Sequence, residues 1–179
     1  MENPNKTLFE CQQMFRHACA FSDCADFANE KFCHETADIE RYTIPSIVNS
    51  AFACEVYLKA LLLYHGIPYK KLLKSKKWHE TKELYGVLPD NLKDRIRLTV
   101  MNNYGGIWED AFGYDLLDNI SNAFLDWRYI YEGKETRNGK RIKRASHHID
   151  ISFLTVFRNT LREACCQLFF SKMWEEYVR

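Results

Sequence analysis

Residues 51–66, AFACEVYLKALLLYHG, are the longest apolar stretch of the chain, and their reading decides the fold. Extended upstream, the positions Ile44, Val48, Ala51, Leu58 and Leu62 recur three, four or seven apart, the spacing of one face of an α-helix rather than the alternation of a strand. Pro45 and Ser46 mark the start of this helix, and Gly66 with Pro68 its end. Glu55 and Lys59 interrupt the run, whereas a membrane span needs about 20 predominantly apolar residues. The amino-terminal MENPNKTLFECQQ lacks the apolar core of a secretory signal. The expectation is a cytoplasmic protein with no membrane partner.

The same rhythm appears on both sides. From Thr7 to Cys33 the residues Leu8, Cys11, Phe15, Ala18, Phe21 and Ala25 step by three and four, as do Phe153, Phe157, Leu161, Cys165 and Leu168 in a closing helix over Ile149–Val178. Between them ETKELYGVL predicts a short helix halted at Pro89. Asp90 is a candidate N-cap for a helix over Asn91–Asn103 that ends at Gly105 and Gly106, and Trp108–Tyr131 predicts a further long helix ended by Gly133. Only 7 Gly and 4 Pro occur in 179 residues, mostly where the apolar period also stops. The expected fold is therefore all-α, a bundle of four to five main helices in a single domain over residues 1–179.

Charge and cysteine content narrow the function. Lys and Arg total 25 against 24 Asp and Glu, so the net charge of +1 gives no overall attraction to nucleic acid or acidic membrane, and any such attraction must be local. Seven cysteines, an odd number without a CxxC pair, fit reduced thiols better than a disulfide framework or a structural zinc site. His147 and Asp150 in HHID lack an evident third ligand, and Cys54 lacks an oriented base. No metal and no cofactor are expected.

Two charges fall on apolar faces. At about 100° per residue Glu55 lies about 40° from the centre of the Ala51, Leu58, Leu62 stripe, and Arg128 lies about 40° from Phe124 in NAFLDWRYIYEG, residues 122–133. Burying either alone would cost several kcal/mol, so each is expected to find the other in a polar pocket with Tyr131 and Glu132. Glu132, one turn after Arg128, is the alternative partner, in the less favourable order for a helical pair. A buried pair that fixes helix register is the commoner reason for such charges, and Trp127, Tyr129 and Tyr131 at helical spacing are more often core than a base-stacking surface.

Four strings in order, AFACEVYLKALL (51–62), HETKELYGVLP (79–89), FLDWRYIYE (124–132) and FLTVFRNTL (153–161), resemble the HEPN superfamily of small helical domains found in prokaryotic toxin and phage-defence systems. In particular they resemble its uncharacterised bacterial members with the pattern AxxxExxLKxLL, HxxxxLxxxLP, FxxWRYxYE and FLxxFxxxL, covering about residues 45–165. The resemblance implies a compact helical bundle, usually a homodimer, and in active members a metal-independent endoribonuclease whose signature is an Arg, four to six residues, then a His. No histidine follows Arg128 at that spacing. In RIKRASHHID, five residues separate Arg141 from His147 and six separate it from His148, so the resemblance makes these three the candidate catalytic residues. A histidine near neutrality can move the proton of a 2′-hydroxyl or a leaving oxygen, and an arginine can stabilise a pentacovalent phosphate.

The same segment, GKETRNGKRIKRASHH (133–148), carries Lys134, Arg137, Lys140, Arg141, Lys143 and Arg144 against Glu135 alone. Such a local patch attracts RNA through backbone charge, and it also reads as a solvated loop turning at Asn138–Gly139. A second basic stretch, Lys70–Lys77, has five lysines. The function expected is RNA-directed, a metal-independent endoribonuclease of a defence or toxin-antitoxin system acting as a homodimer, with an operon-encoded protein as a further partner. The alternative is a non-catalytic module of the same family that binds a protein, a nucleotide or nucleic acid.

Overall fold

The computed structural model describes residues 4–34, 39–67, 79–105, 108, 115–121, 123–128 and 149–178. They form an all-α bundle, with no strand among the described residues. The helices are α1 (Pro4–His34), α2 (Ile39–Tyr64), α3 (Thr81–Gly86), α4 (Asp90–Tyr104), α5 (Leu116–Ser121), α6 (Ala123–Arg128), α7 (Ile151–Phe170) and α8 (Trp174–Tyr177).

α2 runs through the middle because its apolar residues face nearly all round: Ala53, Cys54, Tyr57, Leu58, Ala60, Leu61 and Leu62 are all fully buried. Residues 41–64 are long and apolar enough to cross a membrane by length and composition, but 72% of their most apolar window is buried against the other helices. α1 lies antiparallel to α2, with Asn29 bonded to Ser46 near one end and Ser22 Oγ 3.0 Å from Tyr57 Oη further along. α7 lies parallel to α2, where Ser50 meets Arg158 and Cys165 Sγ reaches the carbonyl of Tyr57 at 3.7 Å. Phe15 is the hub of one end of the core, in ring contact with Tyr57, Phe169, Phe170, Trp174 and Tyr177. Truncating a buried ring of this kind costs about 3–5 kcal/mol.

One buried cation ties three helices. Arg158 of α7 is 0% exposed, yet its guanidinium donates to Asp26 of α1, to Ser50 Oγ of α2 at 3.0 Å and to the carbonyl of Ser22 at 3.4 Å. Arg162 Nη1 lies 3.6 Å from the other oxygen of Asp26. The Asp26 side chain is 44% exposed, so the ion pair lies at the boundary of the core, where the anion keeps part of its hydration.

Several boundaries differ from the sequence reading. α2 begins at Ile39 and contains Pro45, because Ser46 and Ile47 are buried and Ser46 is anchored to α1; tertiary packing outweighs the missing N–H. Trp108 precedes the helical segment instead of starting it. Its carbonyl accepts from the amide of Leu116 at 3.0 Å, and Asp115 Oδ1 accepts from the amide of Leu117 at 2.8 Å, so the helix starts after Asp115. α7 ends at Ser171, left-handed at φ 53, and the chain restarts as α8, whose first amide, that of Trp174, donates to Glu163 Oε2 at 2.9 Å. α4 ends as expected at Gly105, left-handed at φ +76, whose amide closes on the Met101 carbonyl.

Candidate functional site

The charge that the helical wheel placed on the wrong face is buried. Glu55 is 2% exposed, on the side of α2 that α3 and α6 cover. Lys59, one turn on and 8% exposed, brings Nζ to 2.5 Å from Glu55 Oε1. This is the favoured order for a helical pair, glutamate before lysine. His79, just ahead of α3, places Nδ1 2.8 Å from the same oxygen. Glu55 Oε2 is buried and accepts no hydrogen bond among the described residues.

The arrangement dictates a tautomer. An ionised carboxylate only accepts, so His79 Nδ1 donates, and in the neutral imidazole Nε2 carries the lone pair. The His79 side chain is 28% exposed while the carboxylate that holds it is 3% exposed, so the pair is a buried orienting anion under a ring that reaches water. The carboxylate thereby fixes the orientation of the imidazole ring.

α3, α5 and α6 hold this geometry. The amide of Lys82 donates to Ser121 Oγ at 3.1 Å, and Lys82 Nζ to Asp118 at 2.6 Å, fixing α3 on α5. The hydrogen bond to Asp118 raises the Lys82 pKa. α6 packs on α2 through Phe124, stacked on Phe52 with centroids 4.7 Å apart, and through Trp127, partly buried against the core. α6 ends at Arg128, whose backbone is described and whose side chain is not. Glu55 thus has the cationic partner that its burial required, and among the described residues that partner is Lys59 with His79. The pairing of Glu55 with Arg128 lies outside the described residues, as do Tyr131 and Glu132 of the expected pocket. So do the candidate catalytic residues Arg141, His147 and His148, and the basic residues Lys134, Arg137, Lys140, Lys143 and Arg144.

The described chain resumes at Ile149, just ahead of α7. Asp150 caps α7, accepting from the amide of Phe153 at 2.8 Å, and its other oxygen accepts from Tyr104 Oη at 2.6 Å. Its own amide donates to Asn119 Oδ1 at 3.2 Å. Among the described residues no three His, Cys, Asp or Glu side chains form a metal-binding group. Burial pushes the Cys54 thiol up to about 12 and holds Cys165 well above its ordinary value, so both stay protonated near neutrality.

Sequence reasoning missed Lys59 and His79 as partners of Glu55. The signal was present: Glu55 and Lys59 are four apart on one helix, and both belong to the strings compared above, as does His79. It also missed Arg158, whose position on the buried face of the last helix is visible in the spacing Leu154, Arg158, Leu161, Cys165. No family model matches the chain, and neither a curated protein nor a solved structure matches it significantly.

Proposed function

We propose that this is a HEPN-like, RNA-directed protein that cleaves RNA without a metal, acting as a homodimer in the cytoplasm within a defence or toxin-antitoxin system. The observation that carries the reading is the convergence of the polar letters of its motif strings. Lys59 and His79, four and 24 positions from Glu55, converge on one buried Glu55 oxygen, and the His79 side chain is 28% exposed. One buried pair suffices to fix helix register, and burying a third ionisable group beside it adds cost, which favours a role beyond packing.

In this reading Arg141 stabilises the charge on the phosphate while His147 and His148 move protons. The 2′-oxygen attacks phosphorus, its proton passing to one base, and the bond from phosphorus to the 5′-oxygen breaks as that oxygen takes a proton. Glu55 and Arg128, with Tyr131 and Glu132, form the supporting polar pocket. Lys134, Arg137, Lys140, Lys143 and Arg144 hold the RNA backbone, and an operon-encoded protein is the expected regulator.

The test is cleavage of total and transfer RNA by the purified protein in excess EDTA. Wild type is expected to cleave, and Arg141→Ala and the His147→Ala/His148→Ala double variant to be inactive. Cleavage that survives in both but is lost in His79→Ala would move the chemistry to the Glu55 cluster. Salt-sensitive binding without turnover in any protein would favour the non-catalytic alternative, and neither binding nor cleavage would overturn the RNA reading.

A further inference from the structure

α1 has two faces with helical spacing. One is the core stripe of Cys11, Phe15, Ala18, Ser22 and Ala25, all fully buried. The other comprises Phe9, Gln13, Arg16, Ala20, Asp23 and Phe27, stepping by four and three, and centred about 160° from the core at about 100° per residue. Phe9 and Phe27 on this outer face are 58% and 59% exposed, and no described helix covers them. Lys6 and Glu30 extend the stripe at its two ends, both exposed.

We propose that the outer face of α1 is the docking surface for a second copy of this chain, helix against helix and antiparallel, with the two-fold axis crossing near Ala18. Charge and size select the direction. In the antiparallel register Phe9 meets the partner's Phe27, Lys6 meets the partner's Glu30, Gln13 donates to the partner's Asp23, and Arg16 lies over the partner's Ala20. Each pairing occurs twice by symmetry. The spacing of four and three lets the two stripes interdigitate in this register, as in an antiparallel coiled coil. A parallel arrangement in register would set Lys6 on Lys6, Arg16 on Arg16, Asp23 on Asp23 and Glu30 on Glu30, four like-charge layers along one seam. The polar centre specifies register at the expense of affinity. From Lys6 to Glu30 the contact is about 36 Å long at 1.5 Å per residue. A seam one helix wide and of that length falls below the roughly 800 Å² per partner of a standard interface, which makes the pair concentration-dependent.

The inference deepens the homodimer expectation of the proposed function by naming its surface. It is tested without RNA, so its failure and that of the RNA reading are distinguishable. In a Cys24→Ser background, which removes the exposed thiol beside the seam, full-length chains carrying Gln13→Cys or Asp23→Cys are oxidised separately and mixed. These positions lie about 15 Å apart along one helix, too far for a disulfide within a chain, which needs α-carbons within about 7 Å. Cross-linked dimer is expected in the mixture and not in either variant alone. Sedimentation should show wild type passing from the 21.3 kDa monomer to dimer with concentration, Phe9→Glu/Phe27→Glu remaining monomeric with unchanged helical circular dichroism, and Lys6→Glu weakening association that Lys6→Glu/Glu30→Lys restores. Wild type that stays monomeric, cross-linking of either single variant alone, or a dimer that persists in Phe9→Glu/Phe27→Glu would overturn the proposal.

Discussion

Replacing Glu55 by Gln keeps the shape of the side chain and removes its charge, which leaves the Lys59 ammonium, only 8% exposed, against an amide. Removing one partner of a buried ion pair costs about 3–5 kcal/mol. Lys59 lies close enough to the surface to regain some hydration, so the expected cost is at the lower end, about 3 kcal/mol. At about 2–4 °C per kcal/mol for a chain of this size, Tm falls by about 6–12 °C. Lys59→Met should cost less, about 1–2 kcal/mol, because His79 Nδ1 still donates to Glu55 Oε1. The double variant Glu55→Gln/Lys59→Met should be more stable than the summed single losses predict, by about 1.5–3 kcal/mol. Urea unfolding followed by far-ultraviolet circular dichroism measures all three. A loss below about 1 kcal/mol for Glu55→Gln, or additivity within about 0.5 kcal/mol, would refute the reasoning. The apolar triple variant Glu55→Met/Lys59→Met/His79→Leu separates register from chemistry. Well-packed apolar replacements of buried ion pairs are often neutral or stabilising by about 1–4 kcal/mol, so the triple variant should fold and lose RNA cleavage. A stable, fully active triple variant would reduce the cluster to a helix pin.

The Arg158 network predicts an asymmetry. Asp26→Ala removes the counter-charge of a guanidinium that is 0% exposed, which keeps its bonds to Ser50, the Ser22 carbonyl and Asn159, and should cost about 3 kcal/mol, whereas Arg158→Met returns a half-exposed carboxylate to water and should cost about 2 kcal/mol; denaturant midpoints that reverse this order would contradict it. Gly105→Ala should lose about 1–2 kcal/mol in the same assay through the left-handed backbone alone, since nothing lies within 4 Å of an added Cβ. Stability should be level with respect to the buried thiols below pH 9.0 and fall above it, because the unfolded Cys11 and Cys54 ionise near 9.0 while burial holds the folded thiols to about 11 and about 12. Unfolding midpoints that rise from pH 8 to about pH 10.5 would go against this linkage. In native protein the exposed Cys24 should react with a thiol reagent well before the buried Cys11, Cys19, Cys54, Cys165 and Cys166, and equal rates among them would show that the core opens readily.

The helices most legible in the sequence were those with one uninterrupted apolar stripe. α1, α2 and α7 were visible from spacing because their buried residues repeat by three and four over many turns, and α4 because Pro89 and Gly105 bracket it. The breaks were less legible, since they depend on single side chains meeting distant backbone. Ser171 is not a typical left-handed residue, and the restart at Trp174 relies on Glu163, 11 positions away in sequence. The start of α2 before Pro45 rests on the contact between Ser46 and Asn29, which no local pattern encodes. At the site, the wheel identified Glu55 as anomalous because burial of a lone carboxylate is prohibitive. It did not identify His79, because the position of a residue outside a helix depends on how α3 docks on α5 through Lys82, Ser121 and Asp118.

RNA recognition by the basic segment is tested most directly by the salt dependence of binding to a labelled single-stranded RNA. The six Lys and Arg between residues 133 and 148, if all engage phosphates, predict a slope of log K against log salt of about −4. Replacing Lys140, Arg141, Lys143 and Arg144 by Gln should reduce it to about −1. Steep binding that flattens in the variant is the predicted result; no binding at low salt, or a slope unchanged by the four substitutions, would contradict it.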